Sequence, residues 1–129
     1  MNIPKELTYS KDHEWVKVEG NIAVIGITDY AQSQLGDVVF VEVPPVDAEL
    51  SAGSGLAVVE SVKAVSDVYA PISGRVVESN DALTDAPELI NQEPYGQGWI
   101  AKIEISDKAE LEGLLDSQAY EQLVAEGGH

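Results

Sequence analysis

Short β-branched runs, Pro and Gly turns between them, and a near-palindromic stretch at the centre predict a small, mainly β fold. Its form is a sandwich or barrel of short strands with helices at the periphery. At 129 residues, the chain fits one domain spanning 1–129. Such a chain buries roughly two-thirds of its unfolded surface.

Glu14 to Val18, then Glu19-Gly20-Asn21, then Ile22 to Ile27 read as a hairpin with a Gly-Asn turn. Thr28 or Asp29 can cap a short helix to Leu35, with Gly36 as its stop. Val38 to Val43 is a strand closed by Pro44-Pro45. Leu56 to Val62 and Val65 to Tyr69 are the arms of a central hairpin spanning 56–70. Pro71-Ile72-Ser73-Gly74 turns into a strand at Arg75 to Glu78. Residues 81–98 are polar and rich in turn formers, so they read as a long loop with one helical turn. Trp99 to Ile105 is the last strand. Asp107 and Glu110 make a capping-box pattern, and two short apolar helical stretches follow, the second capped by Ser117. Val-Val-Glu-Ser occurs at 58–61 and again at 76–79, a weak hint of internal symmetry.

The palindrome runs from Val59 to Val68. Folded about Lys63-Ala64, it places Val62 opposite Val65, Ser61 opposite Ser66, Glu60 opposite Asp67 and Val59 opposite Val68. Tight hairpin turns favour Asn-Gly, Asp-Gly or a leading Gly because they need positive φ. Lys and Ala forced there cost about 1 kcal/mol or more each. The lysine is therefore read as something the tip presents. Glu60 and Asp67 in this register are like charges face to face, an arrangement that accommodates a visiting cation.

Charge and composition narrow the function. Seven Lys and Arg stand against 23 Asp and Glu, for a formal charge of −16. That field repels nucleic acid and anionic membranes and favours basic protein surfaces. With no Cys, there is no disulfide, thiolate metal site or Cys nucleophile. Any redox chemistry must come from something bound or attached. Only His13 and His129 could supply imidazole, so no metal site is expected. A Ser-His-Asp triad through His13 lacks the nucleophile-elbow pattern. Gly53-Ser54-Gly55 has no third Gly at 58 and reads as a loop, not a phosphate cradle. The longest clean apolar run, Ile22 to Ile27, is far too short to span a bilayer. The N-terminus has no signal core or Arg-rich leader character, so the chain reads as cytoplasmic, mitochondrial only if a leader was removed.

Lys63 has three chemical uses beyond that of an ordinary exposed lysine. A Schiff-base lysine needs an apolar pocket or a neighbouring cation. A hairpin tip on an acidic chain offers neither. A biotin site usually carries Met on both sides of the lysine, whereas Val62 and Ala64 stand here. A lipoyl site places the lysine at the tip of a tight hairpin between symmetric strands, with acids nearby. Lipoate would also bring the redox sulfur that the chain lacks.

Over nearly its whole length the sequence resembles the H protein family of the glycine cleavage system. The resemblance is carried by His13-Glu14-Trp15, Gly26-Ile27-Thr28-Asp29, Leu35-Gly36-Asp37, Val39-Phe40-Val41 and Val59-Glu60-Ser61-Val62-Lys63-Ala64. It continues through Ser66-Asp67, Ala70 to Gly74, Leu89-Ile90-Asn91, Pro94-Tyr95-Gly96, Gly98-Trp99, Leu114-Leu115-Asp116 and Ala119-Tyr120. Two positions depart from the family pattern. Asp47 stands where Gly is common, and Arg75 where an acid is usual.

The resemblance implies a lipoyl-domain-like flattened barrel–sandwich hybrid and a carrier rather than an enzyme, with no catalytic residue. Lys63 would be the lipoyl attachment site. Glu14 and Asp67 match residues lining the cleft that receives the arm, and Glu60 is a further candidate. The partners implied are the pyridoxal-phosphate-dependent glycine decarboxylase (P protein), the tetrahydrofolate-dependent aminomethyltransferase (T protein), dihydrolipoamide dehydrogenase (L protein) and a lipoate-attaching enzyme. The carrier is expected to be a monomer. A lipoyl-relay donor and an unmodified acidic interaction module are the alternatives.

Overall fold

The computed structural model describes residues 2–127 and contains two antiparallel sheets with four short α-helices. The strands are β1 (Thr8–Tyr9), β2 (Glu14–Glu19), β3 (Ile22–Ile27), β4 (Val38–Glu42), β5 (Glu49–Leu50), β6 (Gly55–Ser61), β7 (Val65–Tyr69), β8 (Gly74–Ser79) and β9 (Ala101–Ile105). The helices are α1 (Asp29–Leu35), α2 (Ala82–Asp85), α3 (Leu89–Gln92) and α4 (Ser117–Ala125), with a 3₁₀ turn at Lys108–Gly113. One sheet runs β1-β2-β3-β9-β8-β5 and the other β4-β6-β7. The result is a flattened sandwich without a closed barrel, in keeping with the mainly β expectation.

Alternation explains why the sheets stack. Ala23, Ile25 and Ile27 of β3 and Ile103 of β9 share one apolar core with Val41 of β4, Val59 of β6 and Val68 of β7. Side chains along a strand point alternately to opposite faces, so β3 and β9 give this core every second residue, while register shifts in β4 and β6 break the strict alternation there. The other face of β2 and β3 is covered as well. Tyr9, Trp15 and Val24 form a second core with Tyr120 of α4. Trp15 lies so close over β3 that a Cβ on Gly26 would fall 2.7 Å from its indole nitrogen, and that nitrogen donates to the Pro94 carbonyl at 2.9 Å.

The β2–β3 hairpin forms as expected, with Gly20 at φ +65°. Thr28 caps α1 by accepting from the Ala31 amide, and Gly36 ends it at φ +79°. Other details differ. Residues 81–98 hold two single-turn helices, α2 and α3. Two strands of two residues each, β1 and β5, sit at the edges of the larger sheet. They are too short to carry a periodic signal. Glu110 does not close a capping box. Its carboxylate accepts instead from the Ser73 amide and hydroxyl, at 2.7 and 2.9 Å. The cap of α4 is Asp116, not Ser117, because the Asp116 carboxylate accepts from the Ala119 amide.

The two departures from the family pattern meet in space. Arg75 donates to the Asp47 carboxylate at 2.6 Å, and Asp47 sits at φ +75°. A residue position that tolerates Gly thus holds an aspartate whose charge finds a partner on the neighbouring strand.

The contact between Gly26 and Trp15 has a measurable consequence. Gly26→Ala should overpack the second core and cost about 1–3 kcal/mol. Urea denaturation should show a lower midpoint with an unchanged slope.

Candidate functional site

The central hairpin turns one step earlier than the symmetric folding predicts. Glu60 pairs with Val65, Val59 with Ser66 and Val58 with Asp67. The Ser61 amide donates to the Ala64 carbonyl at 2.8 Å, so Val62-Lys63 forms the loop instead of Lys63-Ala64. Neither loop residue has positive φ. Ser61 removes the need for it, because its hydroxyl oxygen accepts from both the Lys63 and Ala64 amides, at 3.2 and 3.1 Å. Such a side-chain-braced turn is one that Ser supports well. The expected opposition of Glu60 and Asp67 is therefore not formed. The two-residue shift leaves every side chain on its original face, so Val59 and Val68 stay in the core.

Lys63 is exposed on this tip, between Val62 and Val65 that are each 67% exposed. Its stem lies along the end of α1. A Cβ on Gly36 would sit 3.3 Å from Lys63 Cε. The Val62 amide donates to the Asp37 carbonyl at 3.0 Å, joining the tip to the loop after α1.

A cavity of about 210 Å³ opens beside this end of the hairpin. Ile27, Ala31, Leu35 and Val68 line it with apolar surface, and the acidic residues Asp12, Glu14 and Asp67 line it as well. Ala31 and Leu35 are one helical turn apart on α1, as are Tyr30 and Gln34, so this short helix forms a whole wall. Leu35 immediately precedes the glycine against which the Lys63 stem rests.

Glu14 is only 2% exposed. The Ser10 hydroxyl donates to one of its carboxylate oxygens and the Tyr69 amide to the other, the latter at 3.3 Å. Burial pushes its pKa up from 4.5 to about 7, against the lowering effect of those two donors. The turn before it is tight. His13 takes φ +70°, and its Nδ1 lies 2.8 Å from the Tyr120 hydroxyl. That hydroxyl is also 2.6 Å from Thr28 Oγ1, so α4 is tied to the cap of α1. Burial pushes the Tyr120 hydroxyl pKa up, which keeps that hydroxyl protonated.

The structure thus brings Glu14 and Asp67 to one cavity and places Lys63 on the adjoining tip. Glu60 does not line that cavity. His129, the second histidine, lies outside the described residues. Among the described residues, no group of three or more His, Asp or Glu could hold a metal, and no helix is long and apolar enough to cross a membrane. Sequence reasoning missed the wall residues Tyr30 and Gln34 and the support from Ser10. The helical spacing within 30–35 was the available signal. For Ser10, whose role depends on the turn at His13, there was none.

The chain matches the profile of the family described as glycine cleavage H-protein over residues 7–127. It belongs to that family. A glycine cleavage system H protein of Carboxydothermus hydrogenoformans is 57% identical over 126 residues, covering 98% of this chain and 97% of the relative. One from Symbiobacterium thermophilum is 60% identical over 126 residues, covering 98% of each. The crystal structure of a glycine cleavage system H protein from Mycobacterium marinum superposes with a TM-score of 0.83 at 38% identity, covering 97% of this chain and 99% of that one.

The buried Glu14 makes the stability of this H-protein family member depend on pH. Its carboxyl holds a proton more tightly folded than unfolded. As pH rises from about 4.5 to 7, the unfolded state loses that proton first, so stability falls through this window. Glu14→Gln should remove this slope. Urea denaturation across the same range should show the variant gaining on the wild type as pH rises.

Proposed function

We propose that Lys63 carries lipoate in amide linkage and that the protein is the lipoyl carrier of a glycine cleavage system. The observation that carries this reading is the exposed Lys63 on a braced tip, its stem against Gly36, next to Leu35 in the wall of a cavity that three acidic residues line. Family membership supports the carrier role and gives no reason to seek a catalytic residue in the chain.

The residues present suit the group. An exposed primary amine is accessible to an attaching enzyme, and a cavity lined by Ile27, Ala31, Leu35 and Val68 suits an aliphatic chain. Bound lipoate would supply a dithiolane, the sulfur centre that takes up the aminomethyl group derived from glycine and is left reduced. The protein's own part is to hold and protect. The apolar wall excludes water. Glu14 and Asp67 offer negative charge to a cationic amine, and such a cation would draw the Glu14 carboxyl toward its ionised form. Tethering on Lys63 raises the effective concentration of the cargo at each docked partner. In this reading the partners are the decarboxylase that loads, the aminomethyltransferase that unloads, and the dehydrogenase that reoxidises. The acidic surface, at −16, would speed encounter with basic patches on them.

Mass spectrometry of the protein from its native host tests the reading. One lipoyl amide on the peptide containing Lys63 supports it, and an unmodified Lys63 in cells that lipoylate other proteins overturns it. Lys63→Arg should fold like the wild type by circular dichroism and thermal melt, yet take up no lipoate and support no glycine cleavage. Lipoylation of that variant at another lysine would reassign the site. Asp67→Asn should fold and accept lipoate normally but lose the bound aminomethyl group to water sooner. An unchanged lifetime in a release assay would remove Asp67 from the arm site.

A further inference from the structure

The hairpin tip has little to hold it. Val62 and Val65 are exposed, so no apolar burial anchors the loop. The two bonds from Ser61 are internal to the turn and move with it. Pairing with β4 ends at Val38 opposite Ser61. Past that point, the Val62 amide reaches the body of the protein through the Asp37 carbonyl.

Asp37 is itself gripped from both sides by one side chain. Asn91, on α3, accepts from the Val38 amide at 2.8 Å and donates to the Gly36 carbonyl at 2.8 Å. Its amide nitrogen also donates to Gln32 Oε1 at 2.9 Å. Gln32 is held in turn by donating to Asp29 Oδ1 at 2.7 Å. Both hydrogens of the Asn91 amide and its oxygen are thus engaged. An aspartate would lose both donors, and a leucine of similar size would lose all three bonds.

We propose that Asn91 is a positioning residue for Lys63. By bonding to Gly36 and Val38 it fixes the Asp37 carbonyl, which fixes the Val62 amide and with it the tip on which Lys63 stands. This inference rests on the carrier reading of Lys63. Its physical content does not, because the clamp orders the tip whether or not the lysine is modified. If the clamp is released, the tip samples other conformations and the competent one becomes a fraction of the total. A partner that must grasp the tip then sees a weaker apparent affinity by that fraction, with turnover from the docked state preserved.

The test uses the full unmodified chain, a lipoate–protein ligase, lipoate and ATP. The ligase joins the lipoate carboxyl to the Lys63 amine, with AMP as the leaving group. Asn91→Leu removes the clamp. Asn91→Asp is the second variant should the first fail to fold, and Leu123→Ala in the second core is the control for general loss of stability. Asn91→Leu should raise the ligase KM for this chain about fivefold, with kcat close to the wild-type value. It should also speed hydrogen exchange at the Val62 amide, relative to Val59, by about tenfold. Leu123→Ala should change neither ratio, even where its melting temperature falls further. Val62 exchange that rises no more than in the control overturns the proposal. So does an unchanged KM once exchange has risen. If wild-type chain accepts no lipoate, the carrier reading fails, and Val62 exchange alone decides whether Asn91 orders the tip.

Discussion

Where Lys63 stands depends on Val59 and Val68 facing the core. Both are buried in the cluster that joins the two sheets. A slip of one residue in either arm would turn that arm's apolar set outward, at about 1.5–3 kcal/mol for each large aliphatic side chain exposed. The hairpin is therefore confined to registers that differ by two. Among these, the Ser61 hydroxyl selects the one that turns at Val62-Lys63, because it can there satisfy two loop amides without positive φ. The Asp37 carbonyl adds a bond to Val62 that the other register would misplace.

The cavity follows from the same stacking. Ser66 and Val68 of β7 line it together with Tyr30, Ala31, Gln34 and Leu35 of α1, the helix that follows β3. Glu14 ends up between them because its strand begins at a tight turn closed by Ser10, with His13 in the left-handed region. A carboxyl in that position keeps its proton to about pH 7. It is therefore poised to respond to charge that arrives in the cavity. An exposed acid, already ionised, would respond only as a weak screened attraction.

The second core makes this arrangement rigid. Tyr120 stacks on Tyr9 with ring centroids 4.6 Å apart, and its hydroxyl lies within bonding distance of Thr28 and His13. α4 thereby braces both the cap of α1 and the turn that carries Glu14. Paired backbone bonds between Tyr9 and Leu115 extend the β1 edge, at 2.8 and 2.7 Å. The segment at Leu115 thus covers the β1 edge at Tyr9.

Much of this protein was determined by its sequence alone. Alternating apolar residues and Gly and Pro turns set the strands, Thr28 and Gly36 set the ends of α1, and the segment around Lys63 marked the lysine and the family. These are local signals, each contained within one strand, one helix or one turn. Tertiary structure decided what depends on residues far apart in the chain. The hairpin tip takes its bond to the body of the protein from the distant Asp37 carbonyl, and Glu110 is drawn away from a capping box by Ser73. The raised proton affinity of Glu14 needed β7 and α1 to close over it. Hydrogen-bond partners and desolvation are set by packing between elements, and no pattern within a single element encodes them.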